Sequence, residues 1–209
     1  MSEPLTQLPE GATLIRTLGH TDFKAFGKEA FAIKNRARAL TVVLVLVSFM
    51  GFSAVLAFSV VSIFTKGDWS FFVQVIAAFG VMMLVLLPIH EGLHALAYKA
   101  YGSKSIYFGW DWKKFIAYAA ADREYYNGRQ FKVIALLPFL SITMLLGMML
   151  LLLPQFFMLW LSLLCIHNLS CQGDFSLVIF MNQYAPEQFL TVDFRDTKET
   201  HFYLLKREG

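Results

Sequence analysis

Charge is scarce in this chain. Of 209 residues only 16% are Asp, Glu, Lys or Arg, against 57% hydrophobic residues and a mean hydropathy of +0.55, a balance that excludes an ordinary soluble domain. Cysteine is scarcer still. Cys165 and Cys171 are the only two, six residues apart in one apolar segment, a placement unsuited to a structural disulfide, so no oxidising compartment is indicated. No apolar core follows the N-terminus, since residues 2–35 are mixed and polar. A cleavable signal peptide is therefore not expected, and the first apolar segment should act as its own signal. The chain also lacks internal repeats, low-complexity tracts and long linkers.

What remains is dominated by four apolar stretches, 40–64, 71–97, 131–153 and 155–181. Each reaches or exceeds the roughly 20 residues needed to cross hydrocarbon. The expected fold class is an all-α membrane protein, a polytopic bundle of four transmembrane helices with small interfacial or cytoplasmic β-hairpins. Residues 1–39 would form a cytoplasmic lead-in, 40–182 the four-helix membrane domain, and 183–209 a cytoplasmic tail. Basic residues set the orientation. Lys28, Lys34, Arg36 and Arg38 precede the first span, seven Lys and Arg from Lys99 to Lys132 separate the second and third, and Lys198, Lys206 and Arg207 follow the fourth. The opposite connections carry almost nothing, which places both termini on the cytoplasmic side of a plasma membrane. The net charge of +3 follows from this topology and an anionic inner leaflet, so the lipid bilayer is an expected partner and nucleic acid is not.

Outside the spans, 14–38 is compatible with a short amphipathic helix on the inner leaflet or with a solvated lead-in. Runs 105–110 and 115–121, separated by 111–114, suggest one β-hairpin. Runs 189–194 and 200–205, separated by 195–198, suggest a second that caps the membrane domain.

One pentapeptide stands out against the apolar background: His90-Glu91-Gly92-Leu93-His94, near the end of the second span. Two imidazoles and a carboxylate inside a membrane segment each carry a desolvation cost of a few kcal/mol unless something compensates. A single metal ion compensates all three. Spacing i, i+4 puts His90 and His94 on one helix face, within reach of one Zn²⁺. Glu91, roughly 100° around the helix from His90, stands beside that ion, where a carboxylate can accept a proton from water.

Two histidines do not complete a catalytic zinc shell, which usually has three protein ligands and an open position. The other intramembrane polar cluster is His167, Asn168, Cys171, Gln172 and Asp174 in the fourth span. His90 and Asp174 each lie about 19 residues from the outer end of their spans, hence near one depth, and Asp174 is the expected third ligand. His167 is about 10 Å nearer the outer side, too far to share the ion with Asp174 in an unbroken helix, and is placed above the site. Gly173 would permit close approach or local unwinding. Asn168 is open to two roles, substrate or ligand support on one hand and hydrogen bonding between helices on the other. Cys171 is read first as packing and second as a ligand.

These residues resemble the zincin peptidases of the DUF3267 family, small bacterial membrane proteins related in layout to site-2 proteases. The resemblance rests on His90 to His94, on Arg129-Gln130-Phe131 and Leu137-Pro138-Phe139 at the entry to the third span, and on Gly173-Asp174 in the fourth. It covers about residues 70–205, and it implies that His90, His94 and Asp174 hold zinc and that Glu91 is the base. The chain has no Asn-x-x-Pro element, Leu-Asp-Gly triplet or PDZ-like segment of the kind those proteases carry.

The reading is a membrane-embedded zinc metalloprotease, an intramembrane enzyme of HExxH type. It would hydrolyse a peptide bond of a membrane protein or peptide near the cytoplasmic face, with a zinc-activated water and Glu91 as general base. The 105–121 hairpin could hold an unwound substrate as an added strand. The alternative is a non-catalytic membrane protein with a structural or regulatory zinc site. An ion transporter ranks last, because the outer half of the second span, 71–87, holds no ionisable residue.

Overall fold

The structure, a computed structural model, describes residues 8–206 apart from 10, 21 and 112–115. Helices dominate it. Three are long and apolar enough to cross a membrane, Arg36–Lys66, Ser70–Ala100 and Gly128–Leu152. A fourth span exists if the pair Pro154–Ser170 and Gln172–Met181, bent by 44° at their break, counts as one. The bend falls at Cys171, within the fourth apolar stretch.

In chain order the elements are β1 (Ala12–Gly19), α1 (Phe23–Ala32), α2 (Arg36–Lys66), α3 (Ser70–Val81), a π-helical turn at Met82–Leu86, α4 (Leu87–Ala100), β2 (Ile106–Asp111), β3 (Ile116–Ala121), β4 (Tyr125–Asn127), α5 (Gly128–Leu152), a 3₁₀ turn at Pro154–Phe156, α6 (Phe157–Ser170), α7 (Gln172–Met181), β5 (Phe189–Phe194) and β6 (Glu199–Leu205). Both expected hairpins are present. β2 pairs with β3 and β5 with β6, antiparallel; the four residues between β2 and β3 lie outside the described set. The second hairpin is more than a cap. It forms the centre of a four-stranded sheet in the order β1-β6-β5-β4, to which the lead-in contributes β1 ahead of its short helix α1.

Helix starts follow local chemistry. Asn35 precedes α2, and its Oδ1 accepts the Arg38 amide at 2.9 Å, satisfying one of the donors that a helix N-terminus leaves open. Asn127 and Gln130 form a reciprocal box at the head of α5: Asn127 Oδ1 accepts the Arg129 and Gln130 amides, and Gln130 Oε1 accepts the Asn127 amide, the pattern of a capping box. Gly128 follows because a Cβ there would stand 2.9 Å from the Pro186 carbonyl oxygen.

The chain divides into two compact units that alternate along the sequence. The first takes Met1–Arg38, Glu91–Leu137 and Gly173–Gly209 and contains both sheets. Its core is aromatic: Phe26, Phe189 and Phe202 are fully buried, and Phe26 and Phe189 stack on Phe202 at ring separations of 6.2 and 5.6 Å. His20 is buried here. Its Nε2 lies 3.2 Å from Thr200 Oγ1, whose hydroxyl donates to Asp193 Oδ1 at 2.5 Å. Asp193 Oδ2 accepts the Tyr98 hydroxyl at 3.3 Å, which ties the end of α4 to β5.

The second unit takes Ala39–His90 and Pro138–Gln172. Small and polar residues join its helices. Asn168 Nδ2 donates to Ser48 Oγ, and Thr143 Oγ1 donates to Asn168 Oδ1, both at 3.2 Å; Gln74 Oε1 accepts the Leu159 amide. Hydrogen bonds and close contact between small residues hold helices together where a hydrophobic driving force is absent. Large apolar side chains point outward along the same helices, among them Phe64, Leu84 and Leu151 at 79–85% exposed, a surface of the kind that faces lipid or a partner.

Candidate metal centre

Proline shapes the helix that carries the His-Glu-Gly-Leu-His motif. The π turn Met82–Leu86 closes with the Leu87 amide donating to the Met82 carbonyl, five residues back. Pro88, the next residue, has no N–H to donate, so the helical bond it would have supplied is missing, and the widened turn stands directly before it. Such turns re-phase a helix by about one residue and recur at functional sites. From Leu87 onward α4 is regular, with His90 and His94 one turn apart and Glu91 between them. All three side chains are buried, at 8–9% exposed.

In the first unit, His94 Nδ1 donates to the Ile134 carbonyl at 2.9 Å. That carbonyl is available because of a second proline. Four residues after Ile134, at the position whose amide would normally fill the bond, α5 carries Pro138, which has none. The imidazole takes the vacant place. With Nδ1 committed as donor, neutral His94 presents an unprotonated Nε2, and that atom lies 3.4 Å from Asp174 Oδ1. A cation between the two lone-pair atoms, a proton or a metal, suits this approach. A histidine donating its distal N–H to a backbone carbonyl is also the usual arrangement of a zinc-ligating imidazole. Asp174 stands in the first turn of α7, three residues after the break at Cys171.

In the second unit, His90 Nδ1 lies 3.3 Å from His167 Nε2, and Cys171 Sγ lies 3.6 Å from the same nitrogen. His167 is entirely buried. Asn168, one residue on, spends both ends of its amide on Ser48 and Thr143.

The residues singled out in the sequence thus fall into two sets. His94 and Asp174 are together with Glu91 in one unit; His90, His167 and Asn168 are together in the other, His90 being the last residue there before the boundary within α4. Sequence reasoning missed the Ile134 carbonyl. The signal that could have found it is Pro138 at i+4.

Imidazole and carboxylate donors fit zinc better than magnesium or calcium, which take all-oxygen shells. A helix bearing His-Glu-x-x-His, with a carboxylate against its second histidine, has the make-up of a zincin-type centre. The chain belongs to the DUF3267 family, described as “putative zincin peptidase”, whose profile matches residues 83–189, about half of the chain. Comparisons with curated proteins and with solved structures returned no match.

Proposed function

We propose that the protein is a membrane-embedded zinc metallopeptidase that hydrolyses a peptide bond of a membrane protein or peptide near the cytoplasmic face. The observation that carries this reading is the His94 pair: Nδ1 fixed on Ile134, Nε2 facing Asp174. Family membership and the apolar helices support it, and the basic residues flanking those helices favour the cytoplasmic side.

His90, His94 and Asp174 would hold the ion, His90 by its place one turn before His94 on the same helix. Bound zinc supplies Lewis acidity, polarising a carbonyl and making water more acidic. Glu91 is the general base. It takes the proton of the attacking water as the C–O bond forms at the scissile carbon, then delivers that proton to the nitrogen as the C–N bond breaks. Burial of Glu91 and His94 excludes bulk water from this exchange. A helical substrate hides its carbonyls in its own hydrogen bonds, so it must unwind first, and the β2–β3 hairpin offers a strand edge for the unwound segment.

The test is zinc content of the purified chain carrying Cys171→Ser, so that no thiolate beside the motif can hold the ion in its place, with each further variant added to that background. His94→Ala and Asp174→Ala should lose zinc, since an incomplete shell leaves charge to desolvate. Glu91→Gln should keep zinc and lose hydrolysis. Full zinc retention in Asp174→Ala would remove Asp174 from the ligand set.

A further inference from the structure

The His167 nitrogen has a neighbourhood that the peptidase chemistry does not use. His90 Nδ1 and Cys171 Sγ both converge on His167 Nε2, at 3.3 and 3.6 Å. One donor atom from each of the three residues lies within 4.8 Å of the other two, and all three side chains are buried. The local chain explains why they meet. His167 and Cys171 are one turn apart on α6, and Cys171 ends that helix, its amide still donating to the His167 carbonyl at 3.1 Å while the backbone turns away. The sulfur is therefore folded back against the imidazole.

We propose that His90, His167 and Cys171 form a second cation site, a sulfur-containing N₂S position for a borderline-soft divalent ion of the zinc class. Imidazole and thiolate select such ions over magnesium and calcium. Three protein ligands leave the fourth position of such an ion to water, as in the peptidase set, and the thiolate is what distinguishes this site. Binding converts the Cys171 thiol to a metal thiolate and releases its proton to solvent. His90 belongs to both ligand sets, which makes them alternatives. An ion in the sulfur site withdraws the first histidine of the motif from the peptidase centre, so the full chain holds about one ion, in one place or the other. The second site needs neither His94 nor Asp174.

Cobalt(II) reports the difference, because a thiolate ligand adds a charge-transfer absorption that nitrogen and oxygen ligands do not. The full chain in detergent is titrated with Co²⁺ as wild type, Asp174→Ala, and Asp174→Ala combined with Cys165→Ser, with Cys171→Ser or with His167→Gln. The band should appear in Asp174→Ala, persist when Cys165→Ser is added to it, vanish with Cys171→Ser and weaken with His167→Gln. His94→Gln disables the peptidase set by another route and replaces Asp174→Ala if that variant fails to fold by helical circular dichroism. Absence of the band in both of those variants overturns the proposal, as does its survival with Cys171→Ser. Cobalt bound to wild type without the band, and lost in Asp174→Ala, sinks the sulfur site and leaves the peptidase centre standing. A band of equal intensity and affinity in wild type, Asp174→Ala and His94→Gln does the reverse.

Discussion

At the residue scale, the site turns on which atom of each side chain is already spoken for. His94 gives its Nδ1 hydrogen to Ile134, and this decides that Nε2 faces Asp174. His94→Gln keeps a polar side chain but no imidazole lone pair in that position, and in a chain carrying Cys171→Ser zinc affinity should fall by at least about 10-fold in a chelator competition. Unchanged affinity would place the ion elsewhere. The motif and Asp174 were legible in sequence because polar residues are conspicuous in apolar segments. His94 Nε2 lies 3.4 Å from Asp174 Oδ1. His167 could not be assigned that way. Depth counting assumes a straight helix, and the break at Cys171 is a backbone event that Gly173 hints at but does not specify. His20, in a segment read as polar, is buried against Thr200 and Asp193, since the sheet that covers it assembles from strands about 180 residues apart.

At the element scale, two prolines adjust two helices around one motif. Pro88 goes with the π turn ahead of His90, and Pro138 frees the carbonyl that His94 uses. Pro138→Ala returns an amide to Ile134 and gives the carbonyl a competing donor. Zinc affinity should drop, within the roughly 10- to 100-fold range seen when outer partners of metal ligands are lost; a titration with no change would show that His94 needs no such anchor. The turn between β3 and β4 supplies a pH-dependent element. Burial alone would raise the Glu124 carboxyl, but the Lys104 amide, the Tyr126 hydroxyl and the Ser105 amide outweigh it and hold the group below the usual 4.5. A depressed folded value means stability that is present above about pH 4.5 and lost as pH falls through the folded value. Glu124→Gln should therefore lower the unfolding midpoint at neutral pH and differ little from wild type near about pH 3; a constant difference at both would assign the effect to something other than ionisation. The hairpins were readable from alternation and turn residues. β1 and β4 were not, because β4 has three residues and β1 follows no comparable turn signal, so only pairing with distant strands defines them.

At the scale of the whole molecule, the basic residues around the apolar helices predict sidedness independently of any chemistry. In a variant without Cys165 and Cys171, single cysteines at Asp68 and Lys104 should label from opposite faces of sealed vesicles, Lys104 from the cytoplasmic one. Labelling from one face would mean that the helices between them do not form the expected number of spans. The central claim is that this chain cuts peptide bonds with Glu91 as the base, and the most direct measurement is a mass-spectrometric census of new protein termini in membranes containing wild type or Glu91→Gln. Termini within or beside membrane segments should appear with wild type and fall by about 10²-fold or more with Glu91→Gln, at equal expression and equal zinc content. Identical termini in the two membranes would contradict it.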